Sequence, residues 1–165
     1  MAHRVLGLVA RFAQLAKVAR PPLVVAPLAQ GFGFAVEAGL SLSLEDEPGV
    51  PPAHMMALGA TWGETFPVAL IATDYDGGYG AQAAAAWSSI GERPFTIEDC
   101  SINESLSLIG IVTVGAHDEF DAAGLGWYRS NDDWIEYAKH GRAGWQQETW
   151  PAAAEAWKQN AGTLE

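Results

Sequence analysis

The segment from Phe66 to Thr73 constrains the fold more than any other part of the chain. Pro67 stands at its start, and Val68, Leu70 and Ile71 follow in near-continuous apolar order. Such a run suits a central strand buried on both faces. It leads into Asp76-Gly77, and Asp-Gly is a strong hairpin signal because a type I′ turn needs positive φ at both central positions. Residues 81–88 would be the return strand, yet Ala83 to Ala86 are better helix formers than strand formers, so that stretch stays open between the two.

Other segments can be read around this hairpin. Phe32–Glu37 and Leu40–Leu44 read as two short strands across Ala38-Gly39, the second alternating Leu with Ser41 and Ser43 in a period of two. Leu23 to Leu28 is apolar, but Pro27 confines it to an edge or a short extended run. Residues 4–20 predict an amphipathic helix, because Val5, Leu8, Val9, Phe12, Leu15, Ala16 and Ala19 follow the i, i+3, i+4 rhythm opposite Arg4, Arg11 and Gln14. Pro21-Pro22 stops it. The acidic, proline-rich stretch 45–52 reads as a surface loop. Ala53 to Trp62 predicts a helix entered through Pro51-Pro52, with Gly59 as its weak point.

The last third is helical and clearly punctuated. Ser101 with Glu104 forms a capping box before a short helix closing at Gly110. Ile111–Val114 reads as a short strand, and Asp118–Ala123 as a turn or two of helix. Ser130 with Asp133 caps another helix that runs through Lys139 to Gly141. A final helix opens near Thr149, takes Pro151 in its first turn and ends at Gly162. The expected class is α+β: a single domain with a small, mostly antiparallel sheet whose strands lie mainly within 23–90. An N-terminal amphipathic helix and several short C-terminal helices complete it.

Hydrophobic residues make up 49% of the 165 and charged residues 18%, which suits a packed core and excludes intrinsic disorder. The net charge of −11 is uneven: Arg4, Arg11, Lys17 and Arg20 precede residue 45 with only Glu37 against them, and nineteen acids face five bases thereafter. That body repels nucleic acid and anionic lipid and suits a basic protein partner. Arg11 and Lys17 interrupt the apolar N-terminal run, and no stretch reaches the roughly eighteen apolar residues of a membrane span, so a cytoplasmic location is expected. The one cysteine, Cys100, allows no intrachain disulfide, and Glu98 and Asp99 before it would raise its thiol pKa.

The segment ending in Asp74-Tyr75-Asp76-Gly77-Gly78 resembles the first motif of haloacid-dehalogenase-like phosphatases. The resemblance implies Asp74 as nucleophile, Asp76 as general acid and a Mg²⁺ ion on the phosphate. It covers only residues 68–78. Gly78 stands where that family has Thr or Val, and no Lys lies between Thr113 and Asp132-Asp133. The same acids could serve Ca²⁺, but an EF-hand loop ends in Glu and position 85 is Ala. No phosphate loop and no Gly-x-Ser-x-Gly elbow is present. Asp118-Glu119-Phe120-Asp121 with His117 is a second acidic cluster, suited to acid–base work or to a helix's first turn. Neither cluster predicts a metal or cofactor.

Five of the seven Trp residues fall between Trp127 and Trp157, at spacings that face mostly inward. The candidate binding residues are therefore Asp74, Asp76, Asp118, Glu119, Asp121, Trp127 and Trp145. Together they favour a non-enzymatic, acidic protein-binding module, an immunity-type or inhibitor protein covering a basic partner. The alternatives are a hydrolase combining Asp74 and Asp76 with Asp118 and Asp121, and a structural subunit docked through helix 4–20. A homo-oligomer is compatible with each.

Overall fold

The computed structural model describes residues 2–40, 50–77, 79–142 and 150–161. Among these, six strands form one antiparallel sheet in the order β2-β3-β1-β4-β5-β6. They are β1 (His3–Arg11), β2 (Leu23–Pro27), β3 (Phe32–Glu37), β4 (Val68–Asp76), β5 (Tyr79–Ser88) and β6 (Phe95–Ile97). Helices α1 (Phe12–Val18) and α2 (Ala53–Gly63) cover one face. Helices α3 (Ile102–Leu108), α4 (Glu119–Ala123), α5 (Asn131–His140) and α6 (Pro151–Ala161) cover the other. The α+β class with a mostly antiparallel sheet is therefore correct, and two expectations about its parts need correction.

The first correction concerns residues 4–20. They do not form one helix: His3–Arg11 is a central strand, and only Phe12–Val18 is helical. Val5 and Val9 point into the core under α3–α6, whereas Leu6, Leu8 and Ala10 point into the core under α1 and α2. A continuous apolar run satisfies the helical rhythm and the strand rhythm alike, so the helical match carried no discrimination. Gly7 does discriminate: a Cβ there would overlap the Phe34 ring on neighbouring β3. The second correction concerns Ile111–Val114, which forms no strand. Gly110 takes φ +103° and turns the chain out of α3, and Ile111 alone of the four stays buried.

Strand β4 lies at the centre, paired with β1 and β5 along most of its length. The hairpin closes at Asp76↔Tyr79, and Gly77 has the expected positive φ of 60°. Residues 81–88 belong to this return strand. Their alanines alternate between the two cores, Ala84 and Ala86 toward α3 and Ala83 and Ala85 toward α2. Short side chains there let helices approach the sheet from both sides. On the α2 side, a Cβ at Gly59 would overlap the Trp87 ring and one at Gly63 would overlap the Trp87 Cβ, so the helix seats its small-residue stripe on that tryptophan. Strand β2 is the edge that Pro27 implied, and the Tyr137 hydroxyl lies 2.9 Å from the Pro27 carbonyl and 2.8 Å from that of Ala153.

The punctuation of α3 and α5 reads as expected, while the expected opening of the last helix near Thr149 and its end at Gly162 fall outside the described residues. Ser101 and Ser130 accept from the Glu104 and Asp133 amides, and Gly141 turns out of α5 at φ +73°. The anticipated strand Leu40–Leu44 and most of the 45–52 loop fall outside the described residues. No described helix is long and apolar enough to cross a membrane.

Candidate functional site

The strand alternation of β4 separates the sequence candidates. Thr73 and Tyr75 point toward α3 and α4, so Asp74 points to the opposite face, where its carboxylate accepts from Arg4 Nε at 2.8 Å. Asp76 follows Asp74 on that side, at the exposed end of the hairpin. Asp118, by contrast, lines a cleft on the α3–α4 face. The two aspartate pairs do not converge. No group of three or more His, Cys, Asp or Glu among the described residues is arranged to hold a metal ion. Asp74 is also followed by an antiparallel hairpin strand instead of the helix that a phosphatase-type nucleophile strand feeds.

The second acidic cluster is engaged in helix capping. Asp118 Oδ1 accepts from the Asp121 amide at 2.9 Å, and Asp121 Oδ2 accepts from the His117 amide at 3.2 Å. Trp127 is half-buried against the core beneath α3–α6, and Trp145 lies outside the described residues. Among the described residues the exposed indole is Trp150, 54% accessible.

The cleft measures about 360 Å³. Thr73, Tyr75 and Gln82 form its floor, Ile102 and Asn103 of α3 one wall, and Asp118 and Phe120 another. His3 and Arg129 complete it. The His3 Nδ1 lies 2.7 Å from the Thr73 hydroxyl, and its ring meets the Phe120 ring edge-on at 5.7 Å. Burial lowers the His3 pKa below its ordinary value, and the Arg129 charge acts in the same direction. The Leu125 backbone opposes both weakly, but no group described here reaches Nε2 with hydrogen-bond geometry. Arg129 contributes its carbonyl to the Arg4 amide, while its guanidinium makes no ion pair or hydrogen bond among the described residues.

Beside the cleft, the segment joining α3 to α4 is pinned from below. The Gln30 carboxamide donates to the Val112 carbonyl at 2.8 Å and accepts from the Val112 amide at 3.1 Å. Gln30 itself takes a positive φ of 60° to do so. Within the pinned segment Ile111 stays buried while Val112 and Val114 face outward, 55% and 89% exposed. Before and after it in the chain, Glu98, Asp99, Glu104 and Asp121 are exposed, and no Lys or Arg occurs between Arg93 and Arg129. That gap between bases was visible in the sequence. The outward valines were not, because the same four residues read as a strand. Cys100 is half-buried with its thiol 3.6 Å from the Ala84 carbonyl of β5, and its pKa is raised by burial first and then by Glu104 and Asp99.

The chain matches no family model, and no curated protein or solved structure is significantly similar to it.

Proposed function

We propose that the protein is a cytoplasmic binding module whose α3–α4 face covers a basic protein partner. The observation that carries this reading is the pinned segment: Val112 and Val114 stand exposed inside a stretch that contains six acids and neither Lys nor Arg. Interfaces commonly join an apolar centre to a polar rim, and complementary charge steers encounter and rejects wrong partners. Val112, Val114 and the partly exposed Leu108 supply the centre, and Glu98, Asp99, Glu104 and Asp121 supply the rim. Holding the segment through the Gln30 carboxamide lowers the ordering cost of docking. A polyanionic partner such as nucleic acid is disfavoured on the same face.

The test is affinity capture from the native extract across a salt series, comparing wild type with Val114→Asp and with Glu98→Lys/Glu104→Lys. The reading expects a basic protein, retained by wild type, weakened by salt and lost with either variant. Retention unaffected by salt and by both variants overturns it.

A further inference from the structure

We propose that the cleft between the sheet and the α3–α4 segment binds a free α-amino acid with an apolar side chain, held as its zwitterion. The cleft carries one cation and one anion, the Arg129 guanidinium and the Asp118 carboxylate, which both line it without forming a salt bridge to each other. Asp118 spends Oδ1 on the α4 cap, while its Oδ2 and the Arg129 guanidinium have no partner among the described residues and are left to water or to a ligand. A ligand with a single charge satisfies one of them and meets the other with the wrong sign or with desolvation. A phosphate or nucleotide brings two or more negative charges to one guanidinium and one opposing carboxylate. A zwitterion matches both.

The remaining lining supports the same choice. Phe120, Ile102 and Tyr75 offer apolar surface, while Gln82 and Asn103 offer amides. About 360 Å³ lies at the small end of ligand pockets, suited to a single amino acid and not to a large cofactor. His3, against Thr73 and Phe120, has its pKa lowered, so at neutral pH it adds a polar ring and no second charge. The Arg129 carbonyl bond to Arg4 ties the backbone under the guanidinium to β1 and holds one side of the cleft in place.

The test is isothermal titration of wild type with L-phenylalanine, L-leucine and L-methionine, with 3-phenylpropionate and phenethylamine as singly charged analogues of the first. At least one amino acid should bind at up to millimolar concentration. Losing one charge-assisted contact should weaken binding about tenfold or more, whether through Arg129→Gln, through Asp118→Asn or through an analogue lacking one group. Asp118→Asn keeps a side-chain oxygen for the α4 cap, and Arg129 uses only its backbone in the fold, so unfolding does not obscure either variant. Silence toward all three amino acids overturns the proposal. So does an analogue that binds as well as L-phenylalanine, or binding indifferent to both variants. None of these outcomes depends on Val114, Glu98 or Glu104, so failure here is distinct from failure of the protein-binding reading.

Discussion

The side chain of Asn131 stands in for a strand beside Leu6: its Oδ1 accepts from the Leu6 amide at 2.9 Å and its Nδ2 donates to the Leu6 carbonyl at 3.1 Å. The paired residues of β3 and β1 run only from Leu8 to Arg11, so the first half of β1 lacks that neighbour. The Arg129 carbonyl serves the Arg4 amide at 2.7 Å, and the buried Asn131 serves Leu6. The ladder is thereby completed by a helix start. Replacing Asn131 with Leu leaves a buried N–H and C=O unpaired and should destabilise the fold by about 2–4 kcal/mol, read from urea unfolding. Asn131→Asp keeps the acceptor but not the donor and should also be less stable than wild type.

Gly59 offers a second test, in which helix propensity and packing oppose each other. Alanine gains about 1 kcal/mol in a helix interior over glycine. Here the added Cβ overlaps the Trp87 ring, and overpacking of this kind costs roughly 1–3 kcal/mol. Gly59→Ala should therefore lower Tm, and adding Trp87→Leu should reverse the sign of the Gly59→Ala effect. A rise in Tm for the single variant would show that α2 seats elsewhere.

The pH dependence follows from His3. Its pKa is lowered from 6.5 by burial first and by Arg129 second, so between the lowered value and 6.5 the unfolded chain binds more protons than the folded one. Stability from this residue is present above pH 6.5 and falls as the pH drops through that window. His3→Gln should flatten the slope of unfolding free energy between pH 7.5 and 5.5. In an NMR titration the His3 midpoint should lie below 6.5 and move upward in Arg129→Gln.

Tyr137 joins three elements through one hydroxyl, lying between the carbonyls of Pro27 on β2 and Ala153 on α6. A single proton serves one carbonyl at a time, so Tyr137→Phe should cost about 1–2 kcal/mol. The loss should appear locally, as faster amide exchange in α6 with β4 unchanged.

The sequence made the hairpin, the β2 edge, the Phe32–Glu37 strand and the serine caps legible, because each rests on a local rule: Asp-Gly geometry, proline's missing donor, or a side chain reaching an amide three residues on. β1 was not legible. Its run Val5–Ala10 is buried on both faces, and such a run contains the helical rhythm as well as the strand rhythm; only Gly7, placed for Phe34, marked the difference. The binding candidates divided for a related reason. Asp74 and Asp118 looked alike in sequence, but strand parity sends Asp74 to Arg4 on one face while Asp118 lines the cleft on the other. Val112 and Val114 read as part of a short strand, and the long-range Gln30 clamp on the Val112 backbone has no sequence signature.

The most direct test of the central claim is hydrogen exchange on the protein with its captured partner bound. Protection of residues 104–121, with α1 and α2 unchanged, is the predicted result. Protection confined to α1 and α2, or no change across 104–121, would contradict it.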